Sequence, residues 1–266
     1  MLTAPMDHPL NLVTQSVLTW GSYVLTAVLL VIAVVMGIRQ KTPFFVLLIV
    51  GAFLGAFAEA LYDTGMMLWF YTPGLWTTFT AFGIPQPVWA HSGYVVLYAG
   101  PAMFICDRIA RGLTASGLYM WAGVELLCSC VFEMVAINGD AMHYWGPHAF
   151  RILNYPLAIG VLETAQVVCF AVIAAELRRR STSHWSLLGL IVLFPCTFYL
   201  ANFGAGAPMI IALHLDTPTP MASAVCSAIS IGFAVALIVG ASKLLPAEQA
   251  AAVSRRSSPS GLPQAA

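Results

Sequence analysis

Four acidic residues lie within or beside long apolar stretches of the sequence and are the first candidates for chemistry: Glu59, Asp63, Glu133 and Glu163. An ionised carboxylate in the hydrocarbon of a membrane costs at least about 2.5 kcal/mol, so an acid there faces a protein interior or a watery cavity. Several carboxyl groups in one low-dielectric cavity cannot all ionise, and some therefore keep their protons near neutral pH. A neutral carboxylic acid in an apolar cavity can protonate an alkene or an epoxide, or relay protons through a carrier.

Glu59 and Asp63 belong to one apolar stretch, Phe44–Phe70, which is long enough to cross a membrane as a helix. Residues four apart on a helix are separated by about 40° around its axis, so the two side chains point the same way. At about 1.5 Å per residue, Glu59 is roughly 22 Å and Asp63 roughly 28 Å from Phe44. The pair is thus expected between the middle and one surface of the bilayer.

The composition indicates which elements position these acids. Of the 266 residues, 60% are hydrophobic and 8% are charged, whereas soluble proteins have about 25% charged residues. We expect an all-α, polytopic membrane protein with seven transmembrane helices in residues 1–245 and a disordered cytoplasmic tail over residues 246–266. The predicted spans are Val17–Ile38, Phe44–Phe70, Val88–Ile105, Ala115–Ile137, Leu153–Leu177, Trp185–Phe203 and Met221–Ser242.

The distribution of basic residues predicts the orientation of these spans. Of the 11 Lys and Arg residues, all but Arg151 fall in loops or ends on one side of the predicted membrane. Because basic residues favour the cytoplasmic side, we expect the N-terminus outside, the C-terminus in the cytoplasm, and a multi-pass protein of a bacterial-type inner (plasma) membrane. The net charge of zero leaves no basic surface for nucleic acid.

This orientation places most of the polar residues toward the outside. Glu133 lies one turn before Asn138, Glu163 lies two turns after Tyr155, and only Glu125 lies deeper in the fourth span. The outer loops, Thr72–Pro87 and Asn138–Pro156, are rich in Trp, Tyr, Phe, Gly and Pro, a composition typical of interfacial belts or of lids over a bundle. Turns are expected at Trp145-Gly146-Pro147 and at Tyr155-Pro156.

Aromatic and polar residues at the outer end are the candidate contacts for a lipophilic small-molecule substrate. Aromatic faces stabilise cations, so an acid at the mouth of an aromatic cavity suits carbocation chemistry. The histidines have no metal-ligand spacing, with His143 and His148 five residues apart, and we predict neither a metal nor a cofactor. The predicted substrate-binding residues are Trp69, Trp89, His91, Tyr94, Asn138, His143, Trp145, Tyr155 and Asn202.

The sequence Phe57-Ala58-Glu59-Ala60-Leu61-Tyr62, in the second helix of a small seven-span protein, resembles the integral-membrane terpene cyclases of fungal meroterpenoid and bacterial indole-terpenoid pathways. That family is thought to protonate a prenyl chain or its terminal epoxide with a carboxylic acid in the second helix, with a second acid near the seventh. The resemblance implies that Glu59 is the acid. The seventh predicted helix contains no carboxylate, and Asp216, just before it, is the nearest one.

Three hypotheses remain open at this point. The first is a terpene cyclase or isomerase in which Glu59 protonates a prenylated or epoxidised lipid and Asp63 and Glu133 set its proton affinity; small multi-spanning carotenoid (lycopene-type) cyclases are a variant of it. The second is a proton-coupled carrier or receptor-like protein for a small apolar solute, with helix breaks at Pro101, Pro195 and Pro208. The third is a structural membrane protein whose buried acids pair with neighbours. The sequence indicates no oligomeric state.

Overall fold

The computed structural model describes residues 3–246 and is mostly helical. The predicted tail therefore lies almost entirely outside the described residues. Within the described part of the chain, six helices are long and apolar enough to cross a membrane. They are Leu12–Gln40, Phe44–Met66, Ala115–Asn138, Leu157–Arg180, His184–Ala205 and Pro220–Ser242. A mostly helical protein with several helices that could span a membrane is thus confirmed.

The third predicted span is not among those six. Residues 89–110 are helical throughout, but His91, Ser92 and Tyr94 make the segment less apolar than the others.

The α-helices are α1 (Leu12–Gln40), α2 (Phe44–Gly55), α3 (Glu59–Met66), α4 (Trp89–Tyr94), α5 (Gly100–Ala110), α6 (Ala115–Asn138), α7 (Leu157–Arg180), α8 (Gly189–Tyr199), α9 (Ala207–Leu213) and α10 (Pro220–Ser242).

Polar residues fix where three of the long helices begin. The side chain of Asn11 accepts hydrogen bonds from the backbone N–H groups at the start of α1. Thr114 and Thr219 cap α6 and α10 in the same way. Each cap satisfies backbone donors that have no partner within the helix. Short polar turns thereby set the limits of apolar segments that lack any internal stop signal.

Two of the helices pass through a π turn before a proline. Residues Val95–Ala99 precede Pro101, and residues Leu200–Ala205 precede Pro208. A proline lacks the N–H group and its ring collides with the carbonyl four residues earlier, so the turn before it widens. The break expected at Pro208 is confirmed, because a turn at Gly206 separates the π turn from α9. The segment around Pro101 stays helical, and Pro195 lies inside α8 without interrupting it.

Helix α7 lies at the centre of the bundle and packs against α5, α6, α8 and α10. Of its most apolar stretch 83% is buried, against 17% for the corresponding stretch of α1. The most polar interior positions of this helix, Glu163 and Gln166, are therefore enclosed by protein and not by lipid. This arrangement makes the middle of α7 the natural location for a site.

The predicted second span ends earlier than expected. Helix α3 stops at Met66 because Met67 adopts the left-handed conformation, with φ of 50°, and its N–H donates to the carbonyl of Asp63. Residues Leu68–Phe70 then form strand β1, which pairs antiparallel with β4 (Met142–Tyr144). The prediction of a helix as far as Phe70 is wrong because a partner strand, far away in sequence, satisfies the backbone groups of this segment.

The outer loops contain two further pairs of short strands, so the fold is helical with small sheets at one end and is not purely α. Strands β2 (Thr77–Ala81) and β3 (Ile84–Pro87) form one hairpin, and β5 (Arg151–Ile152) and β6 (Tyr155–Pro156) form another. Both two-residue turns, 82–83 and 153–154, have positive φ at each position, as a tight antiparallel hairpin requires. The turn predicted at Tyr155-Pro156 thus lies two residues earlier.

Candidate functional site

A small cavity lies inside the bundle, beneath the strands of the outer end. Its volume is about 40 Å³, which is enough for a few water molecules. Three of the predicted catalytic acids, Glu59, Glu133 and Glu163, belong to its wall. The remainder of the wall is mostly aromatic and apolar: Tyr62, Leu68, Phe70, Trp89, Ala90, Gly93, Tyr94, Leu97, Tyr98, Phe132, Met142 and Tyr144.

Glu163 is the most heavily hydrogen-bonded acid of this cavity. One carboxylate oxygen accepts hydroxyl hydrogen bonds from Tyr98 at 3.1 Å and from Tyr62 at 3.4 Å. The other oxygen accepts from Tyr155 at 3.1 Å and, through a short hydrogen bond, from Ser129. Hydrogen bonds of this number and kind are those that stabilise a carboxylate. The donors come from three helices and from β6, so the acid ties the bundle to the outer strands.

Glu59 and Glu133 each have one hydroxyl partner. The hydroxyl group of Tyr94 donates to Glu59 at 2.5 Å, and that of Tyr144 donates to Glu133 at 3.1 Å. Both acids are more than nine-tenths buried. Because a carboxyl group offers about four acceptor positions, these two acids keep free capacity toward the cavity, which Glu163 does not.

Asp63, the remaining predicted catalytic acid, is buried but is not part of the cavity wall. Its carboxylate accepts a hydrogen bond of 2.6 Å from the amide of Gln86 on β3, and its other oxygen has no partner among the described residues. Glu59 and Asp63 were predicted to point the same way. Both side chains are buried, but Glu59 is part of the cavity wall whereas Asp63 meets Gln86 instead. Asp63 fastens the β2–β3 hairpin to α3.

Among the described residues, no ion pair neutralises any of these four acids. The salt bridges of the described part of the chain involve Asp107, Asp140 and Glu176, all near the ends of the helices. Four carboxyl groups with no cation beside them cannot all be ionised in a low-dielectric interior. At least some must carry a proton, which is the requirement for an acid catalyst.

The predicted substrate-binding residues fall into two groups. Trp89 and Tyr94 are part of the cavity wall, and Tyr155 contacts the cavity through its hydrogen bond to Glu163. The rings of Tyr94 and Tyr98 pack edge to face at 5.0 Å, and the rings of Phe70 and Trp89 do so at 6.0 Å. These rings give the acids an electron-rich surround of the kind that stabilises a cation.

The others lie outside the wall. Trp69, His91 and Asn202 are buried, and the Nδ1 atom of His91 is 2.8 Å from the carbonyl oxygen of Phe53. Of the remaining three, Asn138 is the last residue of α6, and His143 on β4 and Trp145 follow it in the connection to α7. The amide of Asn138 donates to the carbonyl groups of Met134 and Leu153 and fastens the loop to the end of α6.

The side chains of Arg151 and His148 fasten the connection between α6 and α7, which contributes Met142 and Tyr144 to the cavity wall. Arg151 donates from one guanidinium nitrogen to the carbonyl oxygens of Tyr144 at 2.6 Å and Gly146 at 2.8 Å. His148 donates from Nε2 to the carbonyl of Met66 at 2.9 Å. Burial, and in second place the charge of Arg151, lowers the pKa of His148 to about 3, so this histidine is neutral at physiological pH.

Metal binding finds no geometric support in the described residues, where no cluster of three or more His, Cys, Asp or Glu side chains has the arrangement of a metal site. The Nε2 atom of His148 donates a hydrogen bond to the carbonyl oxygen of Met66. The ring of His91 packs against the ring of Phe57, with centroids 4.8 Å apart.

Several residues of the cavity were not among those predicted. Tyr62, Tyr98, Ser129 and Tyr144 supply hydroxyl groups to the acids, and no sequence spacing joins them to their partners, which lie 11 to 101 residues away. Glu125 is a different case. A lone acid in the middle of an apolar span is itself a signal of function, and its carboxyl group is buried without a hydrogen-bond partner in the described residues.

The geometry thus brings three acids together in one cavity whose wall is otherwise mostly aromatic and apolar. No protein-family model, no curated protein and no solved structure matches the chain.

Proposed function

We propose that the protein is an integral-membrane acid catalyst that cyclises or isomerises a prenylated or epoxidised lipid. The observation that carries this proposal is the meeting of Glu59, Glu133 and Glu163 around one buried cavity with aromatic walls. A protein that needed these acids only for stability would pair them with cations or place them at the membrane surface. Here all three are enclosed by protein without a compensating charge, and Glu59 and Glu133 keep free acceptor positions.

The three acids have distinct roles in this proposal. Glu59, with one hydroxyl partner, gives its proton to the alkene or epoxide of the substrate. The resulting cation rests against the faces of Tyr94 and Trp89 while the chain closes or rearranges. Glu133, as a carboxylate, then takes a proton from the neighbouring carbon and releases it to water, while Glu59 regains a proton from water, so the reaction consumes no co-reactant and leaves an alkene. Glu163, saturated by four hydroxyl groups, holds the tyrosines in position.

The same proposal includes the membrane arrangement. Helical residues 89–110 contribute Trp89, Tyr94 and Tyr98 to the cavity and pack against α1, α2 and α7. We infer that this segment is a seventh span, whose polar side chains are accommodated because they face protein. The basic residues then lie on the cytoplasmic side, with the N-terminus outside and the site in the outer half of the inner (plasma) membrane.

The proposal is tested by incubating membranes that contain the protein with a panel of prenylated alkenes and prenyl epoxides, followed by mass spectrometry of the extracted lipids. The Glu59→Gln variant keeps the size of the side chain and an acceptor for Tyr94, but has no proton to give. Its turnover should fall by about 10²-fold or more, as expected for loss of a general acid.

Glu176→Gln is the matched control, since Glu176 lies at the opposite end of α7 and pairs with arginines there. Its turnover should stay near that of the unchanged protein. Unchanged substrate across the panel would count against the enzyme, and a pH-driven flux of apolar solute into proteoliposomes without any product would favour a proton-coupled carrier instead.

A further inference from the structure

A second, much larger hollow lies on the outside of the bundle, between α1, residues 96–101 and α6. Its volume is about 650 Å³, within the range of roughly 300–1,000 Å³ that is usual for ligand sites. The central cavity, at about 40 Å³, is far too small for any lipid. The wall of the larger hollow, hereafter the lateral groove, is almost wholly apolar and includes Val17, Gly21 and Leu25 of α1 and Val131 of α6.

One acid is part of this apolar wall. Glu125 lies in the lateral groove, its side chain is 1% exposed, and neither of its carboxyl oxygens has a hydrogen-bond partner in the described residues. A buried polar group without a hydrogen-bond partner destabilises the fold and calls for an explanation. A ligand with a hydroxyl or ether oxygen beside Glu125 would supply the missing hydrogen bond. A plain hydrocarbon chain would not.

The lateral groove and the central cavity share part of their walls. Leu97 and Phe132 belong to both walls, so these two residues lie between the lateral groove and the central cavity. Leu97 lies in the π turn Val95–Ala99, and a widened turn of this kind often marks a functional position in a helix.

We propose that the lateral groove binds the hydrocarbon chain of a single-chain lipid that carries a hydroxyl or ether oxygen. That oxygen forms a hydrogen bond with Glu125. The reacting end of the chain passes between Leu97 and Phe132 to the acids of the central cavity. This inference rests on the proposed function for the identity of its ligand as the substrate. The lateral groove is long enough for such a chain, because Glu125 and Val135 at its two ends on α6 are ten residues apart, which is about 15 Å along a helix. A bilayer phospholipid is the competing occupant, and it has no oxygen at this depth to satisfy Glu125.

Photolabelling tests the proposal directly. The probe is a farnesol analogue that carries a diazirine, added to Glu59→Gln protein in nanodiscs so that binding is observed without turnover. The labelled peptides should come from α1 and α6. Labelling should fall by at least about fivefold in Gly21→Trp, since the indole ring takes up the apolar space that the chain would occupy.

Gly232→Trp is the matched control and should label like the parent. Gly21 and Gly232 are both exposed glycines within long helices, and a side chain added at either meets nothing within 4 Å. Val131→Trp, on the opposite wall and 54% exposed, provides a second way to fill the lateral groove. Equal labelling in all of these variants, or labels spread over the lipid-facing surface, would overturn the proposal.

The role of Glu125 has its own comparison. Glu125→Leu should reduce labelling by the farnesol probe about fivefold or more, whereas labelling by a matched hydrocarbon probe without the hydroxyl group should be unchanged or stronger. Glu125→Gln, which keeps a hydrogen-bonding group, should retain labelling by farnesol. If both probes respond alike to Glu125→Leu, the lateral groove holds only lipid chains and the proposal is wrong.

The outcomes separate this inference from the proposed function. Labelling of the lateral groove without turnover of any substrate would leave the binding site standing and refute the enzyme. Turnover that depends on Glu59 but is unaffected by Gly21→Trp and Val131→Trp would support the enzyme and refute the lateral groove as its chain-binding site.

Discussion

The four hydrogen bonds on Glu163 allow a quantitative prediction about stability. Replacing Tyr98 or Tyr155 by Phe removes one hydroxyl donor at 3.1 Å from a buried carboxylate. A hydrogen bond to a charged group contributes about 1.5–3 kcal/mol, so each variant should lose about that much free energy of unfolding. Tyr62→Phe should cost less, because its hydroxyl is 3.4 Å from the carboxylate and such a long contact is weak.

The measurement is reversible unfolding in mixed micelles, followed by circular dichroism. Tyr199→Phe is the control, because the hydroxyl of Tyr199 has no hydrogen bond in the described part of the chain, and the change should stay within about 0.5 kcal/mol. The double variant of Tyr98 and Tyr155 should depart from additivity by at least about 0.5 kcal/mol, since both donate to one carboxyl group. Losses below that size for every tyrosine, or the same loss for Tyr62 and Tyr199 as for the others, would refute the description of Glu163 as a saturated carboxylate.

Two further predictions concern the outer loop and the helix packing. The pKa of His148 is about 3 in the fold and about 6.5 when unfolded, so only the unfolded chain gains the proton as the pH falls below 6.5. Between pH 7 and pH 5 the unfolding free energy should therefore drop by about 2 kcal/mol more in the unchanged protein than in His148→Gln. The control variant His184→Gln, at an exposed position, should show the same drop as the unchanged protein. Gly51→Ala places a methyl group 2.9 Å from the carbonyl oxygen of Leu190. The variant should lose about 1–3 kcal/mol of unfolding free energy, because the methyl group forces α2 and α8 apart. Gly232→Ala, where the added methyl group meets nothing within 4 Å, should be neutral or stabilising in the same unfolding assay.

The long helices and the burial of the acids could be predicted from the sequence because both follow from local patterns. An apolar stretch such as Leu157–Arg180 must form a helix to satisfy its backbone within a membrane. An acid such as Glu59 must then face protein. Neither inference needs to know what lies across the bundle.

The partners of the acids could not be predicted in this way, because they depend on contacts between distant parts of the chain. Strand β1 pairs with β4 more than 70 residues away. Without knowledge of that partner, the three apolar residues of β1 fit equally well as the last turn of the preceding helix. The same limit applies to Asp63, whose spacing from Glu59 predicts a shared direction but not the amide of Gln86 that it meets.

The proposed mechanism depends on one chemical event, the transfer of a proton from Glu59 to a lipophilic substrate; an alkene accepts this proton on a carbon atom, and an epoxide accepts it on the ring oxygen. The most direct measurement is turnover of a prenylated alkene in heavy water, with mass spectrometry to locate deuterium on carbon in the product. The unchanged protein and Glu176→Gln should both give a product with one carbon-bound deuterium, and Glu59→Gln should give almost none. From the alkene, a product without carbon-bound deuterium, or equal incorporation by Glu59→Gln, would refute proton transfer from Glu59.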